Sequence, residues 1–265
     1  MILNEILHHK RLQVEALKAR YPEARLRERA ARKLAGRRSL AHAIESARDI
    51  GFIAELKKAS PSEGLLRADF DLTGLAEIYA AGGVSAISVL TDARFFKGHL
   101  SSLRRVREVA SCPVLRKDFL IDRAQLYESV LYEADAVLLI AALLSEEELT
   151  EFLSVAAGLR LEALVEVHSR EDVDKALRAG ARLIGINHRN LETFEIDPER
   201  TAKLIDFIPD DRLVVAESGI QTRRDILALK SLGADAVLVG SSLMKAPDVA
   251  AKLKSLWGRA GASCV

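Results

Sequence analysis

Two lysines and three glutamates stand where short apolar runs of this sequence end. Glu55 and Lys57 close the run from Ile53, Lys117 the run from Val114, Glu166 the run from Leu161 and Glu217 the run from Val214, while Asn187 finishes the run from Leu183. A buried strand has no packing reason to end in a charge, because removing an ion from water is costly unless it is well paired. Any one of these residues is equally an internal salt-bridge member supporting a strand end. The whole set is better explained by convergence on one site, where ammonium and carboxylate groups shift each other's proton affinity. Such mutual perturbation suits general acid–base catalysis.

The elements that must position these residues recur regularly. From residue 51 onward, β-rich runs bounded by Gly, Pro or Asp predict strands at 51–57, 85–90, 113–117, 135–140, 161–167, 182–187, 212–217 and 235–240. Segments of helical periodicity separate them at 72–81, 100–110, 123–133, 145–157, 170–179, 198–207, 222–232 and 247–257. Eight alternations predict an α/β fold, a (β/α)8 TIM barrel, within a single domain spanning 1–265. A doubly wound sheet would announce itself by a Gly-rich turn after the first strand, but Lys-Lys-Ala-Ser-Pro-Ser stands there instead. Ser145 ahead of Glu146, Glu147 and Glu148 predicts a capped helix start, and Gly180 and Gly233 suit left-handed helix ends. Glu55 and Lys57 share one strand face; if that face is interior, both lie at the C-terminal rim where barrel enzymes work.

Residues 1–48 precede the first strand, and Leu3, Ile6, Leu7 and Val14 recur there at helical spacing. The segment is basic enough to suggest a targeting helix, yet Glu5, Glu15, Glu23 and Glu28 break the acid-poor signature of one, so an integral helical extension is expected.

The loops after the last two expected strands carry Ser218-Gly219 and Gly240-Ser241-Ser242. Either is a common turn by itself, but barrels often hold a phosphate with backbone N–H groups at these two places. Arg189 offers a planar fork to an anion. His168 and His188 follow strand ends and are read as rim or loop residues. His8, His9, His42 and His99 have no carboxylate company at metal-ligand spacing, so no metal and no cofactor is expected.

Composition removes other classes. Aromatic residues at 5% argue against base stacking, and 39 Lys+Arg against 38 Asp+Glu leaves no basic field for nucleic acid. The longest apolar stretch, 136–144, is about half of what a membrane-spanning helix needs. Cys112 and Cys264 offer no disulfide framework, which fits a reducing cytoplasm.

The motifs IAELKKASPS (53–62), LRKDF (115–119), LVEVH (164–168), GINHRNL (185–191) and AESGI (216–220) stand in order, between an Ile-Leu-x-x-Ile opening and Val-Gly-Ser-Ser-Leu-Met at 239–244. Together they resemble the indole-3-glycerol-phosphate synthase family of tryptophan biosynthesis. The resemblance implies closure of 1-(2-carboxyphenylamino)-1-deoxyribulose 5-phosphate to an indole with loss of CO2 and water. It implies Lys117 as a general acid, with Lys57 sharing that role or steadying the substrate carboxylate, and Glu166 as the general base. Glu55 and Glu217 would orient the lysines and substrate, and Asn187 and Arg189 would hold carboxylate and hydroxyls. Ser60, Ser218, Gly219, Gly240 and Ser241 would form the phosphate site, and Phe96 and Leu191 would touch the aromatic ring. By the same resemblance the extension covers the barrel mouth. Glu63, His188 and Ser241 depart from residues common in the family, where Lys, Asn and Glu respectively are frequent. A small-molecule partner is expected, with the chain a monomer or a homodimer. The competing expectations are an aldose–ketose isomerase, a Schiff-base aldolase and a non-catalytic phosphosugar binder.

Overall fold

The computed structural model describes residues 2–258. Its strands β1 (Gly51–Leu56), β2 (Ala86–Leu90), β3 (Val114–Lys117), β4 (Ala136–Ile140), β5 (Glu162–Val167), β6 (Leu183–Asn187), β7 (Leu213–Glu217) and β8 (Ala236–Val239) form a closed parallel barrel in chain order. Closure is made by β1 against β8, with Gly51 opposite Ala236 and Ala54 opposite Val239. The fold is the expected (β/α)8 barrel: each strand lies inside its expected stretch, and every expected helical interval contains a helix.

Alternation along the strands sorts residues into two cores. Ile53, Leu115, Leu164, Leu183, Val215 and Leu238 fill the interior, while Phe52, Val114, Val165, Ile184, Ala216 and Val237 pack outward beneath the helices. Two residues beyond each interior position comes the next one on the same face. Glu55, Lys117, Glu166 and Glu217 each follow an interior apolar residue by two, so the pleat sends all four into the barrel.

Local chemistry sets the helix ends. Ser145 and Glu148 form a reciprocal capping box, and Gly180 (φ +87°) and Gly233 (φ +103°) take the left-handed conformation after their helices. Three features were not expected. Residues Ala59–Ser60 and Gly64–Leu65 pair as a small hairpin after β1, with Gly64 at φ +67° making the turn possible. Asp92 Oδ1 accepts the Phe95 N–H at 2.7 Å and starts a short helix, Ala93–Phe96, after β2. The helix expected at 198–207 tightens at Ile205–Phe207 into a 3-10 turn.

The extension divides into α1 (Ile2–Arg20), α2 (Glu23–Ala31) and α3 (Leu40–Glu45). Only α1 reaches the mouth, where buried Ile6 joins the interior core and Lys10 is enclosed between Asp92 and Asp118, 2.7 Å from each. Helix α2 packs outside the barrel on the helix Arg123–Leu131. Helix α3 lies under the opposite end: Ser39 Oγ (2.8 Å) and the Ala41 N–H (3.0 Å) donate to Glu162, the first residue of β5. Its Leu40 and Ile44 pack with Ala86, Ala136 and Ala236, which begin β2, β4 and β8. The extension therefore brackets the barrel from both ends. Among the described residues no helix is long and apolar enough to cross a membrane. Cys264 lies outside the described residues.

Candidate active site

A cavity of about 580 Å3 opens at the C-terminal ends of the strands. All six residues singled out for acid–base and orienting roles line it: Glu55, Lys57, Lys117, Glu166, Asn187 and Glu217. So do all eight expected substrate contacts: Ser60, Phe96, Arg189, Leu191, Ser218, Gly219, Gly240 and Ser241.

Lys117, at the end of β3, lies across the barrel from two carboxylates. Its Nζ is 2.5 Å from Glu217 Oε2 and 3.2 Å from Glu166 Oε2. Lys57 Nζ is 3.0 Å from Glu55 Oε1. The glutamates are enclosed, whereas both lysine side chains keep 14% of their surface and line the cavity. Two glycines make this arrangement possible. A Cβ on Gly185 would lie 2.3 Å from Glu217 Oε1, and one on Gly240 would lie 2.3 Å from Glu55 Oε1. Both positions face inward on β6 and just past β8, and a side chain there would occupy the space of a cavity-lining carboxylate.

The charges do not titrate independently. Burial would lower the Lys117 pKa, but the charges of Glu217, Glu166 and Glu55 outweigh it and raise it, which holds the ammonium protonated. Burial likewise pushes Glu166 up, yet Lys117, with His168 and Asn187, brings it well below the usual carboxylate range. Glu217 goes the other way: burial, opposed by Lys117 and reinforced by the Glu166 charge, pushes it up to about 7. Two carboxylates facing one ammonium share a proton near neutrality. This pair can therefore both hold and accept a proton at working pH.

Other contacts were not foreseen. His168 Nε2 stands 3.2 Å from Glu166 Oε1, behind the carboxylate that the family resemblance implies as a base. His188 is neither a rim ligand nor an exposed loop residue. It is buried beneath the Ser218–Gly219 turn, with Nδ1 3.0 Å from the Ser218 carbonyl oxygen and Nε2 2.7 Å from Thr201 Oγ1. The carbonyl requires Nδ1 to donate, and in the neutral imidazole Nε2 then accepts from the hydroxyl. Burial lowers the His188 pKa against the opposing Ser218 bond, which favours this neutral form. Ser218 (φ 70°) and Gly219 (φ 78°) are both left-handed, so the histidine props a strained turn whose backbone faces the cavity.

Arg189 lines the cavity, but its guanidinium is already engaged. It donates to Ser62 Oγ at 3.3 Å and to the Phe194 carbonyl at 3.2 Å, and Nη2 is 3.5 Å from Glu63 Oε2. Asn187 Oδ1 accepts the Arg189 N–H at 3.0 Å. Glu63 also accepts from Ser241 Oγ at 2.6 Å and lies 2.8 Å from Lys245 Nζ. The apolar side of the cavity is larger than Phe96 and Leu191. Phe119 meets Phe96 with ring centroids 6.1 Å apart, and Leu138, with Leu3 and Ile6 from α1, extends the surface. Phe119 was visible within LRKDF, but nothing in its spacing distinguished it from core packing.

The site thus joins an acid–base cluster, an apolar wall and backbone turns after β7 and β8. That combination suits an aromatic substrate with a phosphorylated tail. Among the described residues no group of three or more His, Cys, Asp or Glu is arranged to hold a metal ion.

Comparison with known proteins agrees with this chemistry. A sequence model of the family described as indole-3-glycerol phosphate synthase matches residues 3–256. A protein of that description from Dehalococcoides mccartyi (strain CBDB1) is 48% identical over 269 aligned positions, covering 97% of this chain and 100% of the relative. Another, from Roseiflexus sp. (strain RS-1), is 45% identical, covering 97% and 98%. Among solved structures, 3-hexulose-6-phosphate synthase superposes with a TM-score of 0.61 at 16% identity, over 78% of this chain and 98% of that one, a likeness of fold alone.

Proposed function

Because this chain belongs to the indole-3-glycerol phosphate synthase family, we propose that its strand-end charges divide the work of that family's ring closure among named side chains. The reaction closes 1-(2-carboxyphenylamino)-1-deoxyribulose 5-phosphate to indole-3-glycerol phosphate with release of CO2 and water, and the chain is a lyase. The observation that carries our assignment is Lys117, lining the cavity with its ammonium between Glu166 and Glu217.

The ring carbon bearing the carboxylate attacks the ketone, whose oxygen gathers negative charge and takes a proton from Lys117. Lys57, neutralised in part by Glu55, steadies the substrate carboxylate until it leaves as CO2, the C–C bonding pair returning to the ring. Dehydration then removes the new hydroxyl as water, protonated by a lysine, while Glu166 takes the proton released from the substrate. Glu217, coupled to Glu166 through Lys117, sets the proton affinity of the pair, and Asn187 orients the substrate. The aromatic ring lies along Phe96, Phe119 and Leu191. Ser60, Ser218, Gly219, Gly240 and Ser241 receive the phosphate. Helix α1 completes the cover and excludes water, which strengthens each of these electrostatic interactions.

A Schiff-base role for Lys117 is disfavoured by its surroundings, since a nucleophilic amine needs a lowered pKa and this one is raised. Borohydride with substrate should leave no adduct. Every residue assigned a role comes from one chain, and we propose a monomeric, cytoplasmic enzyme acting on a phosphorylated small molecule. Incubation of purified protein with the carboxyphenylamino substrate should produce indole fluorescence; no product at micromolar enzyme would contradict the proposal.

A further inference from the structure

The cavity's cations beside Ser241 already hold an anion that belongs to the chain. Glu63 sits at the tip of the hairpin after β1, with its N–H donated to Ser60 Oγ at 3.2 Å. One carboxylate oxygen accepts from Ser241 Oγ at 2.6 Å and lies 3.5 Å from Arg189; the other lies 2.8 Å from Lys245 Nζ. A hydroxyl and two cations converging on two oxygens is how a protein binds phosphate. We propose that Glu63 is a resident surrogate for the substrate phosphate, so that substrate entry exchanges one anion for another and Glu63 sets the affinity of the phosphate subsite. The inference rests on reading Ser241 as a phosphate ligand.

Two observations support it. The contacts of Glu63 are with Ser241 and with two cations lining the same cavity. Burial pushes its pKa up, but hydrogen bonds from Lys245 and Ser241 and the charge of Lys57 bring it below the ordinary value, so it is anionic at neutral pH. The substrate phosphate and free inorganic phosphate must surrender the same contact to bind. The two ligands therefore face the same cost, and removing Glu63 should help both by the same factor.

The test uses the full-length enzyme and reads KM for the carboxyphenylamino substrate and the competitive inhibition constant of inorganic phosphate. Glu63→Ala should lower both by one common factor, about threefold or more for a partly exposed charge contact. In a Ser241→Ala background that gain should shrink, because one of the contacts Glu63 makes is already missing while those to Lys245 and Arg189 remain. Unchanged or raised constants in Glu63→Ala would overturn the inference. So would a full gain persisting without the Ser241 hydroxyl, which would mean that Glu63 does not compete for that hydroxyl. Ser241→Ala alone separates the two readings. If it weakens both ligands while Glu63→Ala changes neither, the phosphate assignment stands and the surrogate falls; if it changes neither, the assignment of Ser241 falls and takes the inference with it.

Discussion

At the scale of single residues, the site depends on where side chains are missing as much as on where they are present. The carboxylates were legible because charge at the end of an apolar run is costly and therefore conspicuous. Gly185 was not, since a glycine inside a strand reads as weak packing until the opposite carboxylate is in view. Its empty Cβ position is the space of Glu217 Oε1, 2.3 Å away. Gly185→Ala should therefore push Glu217 off Lys117 and reduce kcat by about tenfold to a hundredfold, the scale of a displaced acid–base group, while the far-UV circular dichroism of the barrel is retained. Proton affinity gives a second expectation. Glu217 is pushed up to about 7, and the pair must lose that proton to work as a base. Hence kcat/KM should rise with pH through an inflection near 7, and in Glu217→Gln that inflection should disappear. A flat wild-type profile between pH 6 and 8 would contradict the coupling. His188 was harder to read still: its neighbours Ser218 and Thr201 come from separate segments, and no local pattern joins them.

At the scale of elements, alternation carried most of the information. Strand endings such as Leu115 to Lys117 and Leu164 to Glu166 share a face because the pleat repeats every second residue, so their convergence followed from sequence. Packing of the extension did not follow, because helices α1, α2 and α3 have local periodicity but their docking sites are distant. Leu40 and Ile44 look like any apolar helix face, yet they close the bottom of the barrel, while only α1 stands over the mouth. What locks α1 is Lys10, buried 2.7 Å from both Asp92 and Asp118, a residue that in sequence reads as part of a solvated basic face. Lys10→Met leaves buried Asp92 without its cation, while Asp118 keeps Arg116 at 3.1 Å, and should destabilise the protein by about 3–5 kcal/mol in denaturant unfolding. Adding Asp92→Asn should recover part of that loss, since the stranded charge is then gone. A loss below about 1 kcal/mol would mean the contacts are solvent-relaxed rather than structural.

At the scale of the whole molecule, the barrel is a device for bringing residues more than 160 positions apart, Glu55 to Glu217, into one cavity. Near-neutral overall charge, with 39 basic against 38 acidic residues, means that attraction of an anionic substrate is local to Lys57, Lys117, Arg189 and Lys245 at the mouth. Lys117, held protonated between two carboxylates, is the proposed general acid of ring closure. The most direct measurement is turnover of Lys117→Met, read by indole fluorescence alongside the affinity for indole-3-glycerol phosphate. Turnover should fall at least about a hundredfold, the usual scale of a lost acid–base group, with product affinity little changed. Turnover comparable to that of the unsubstituted enzyme would contradict it.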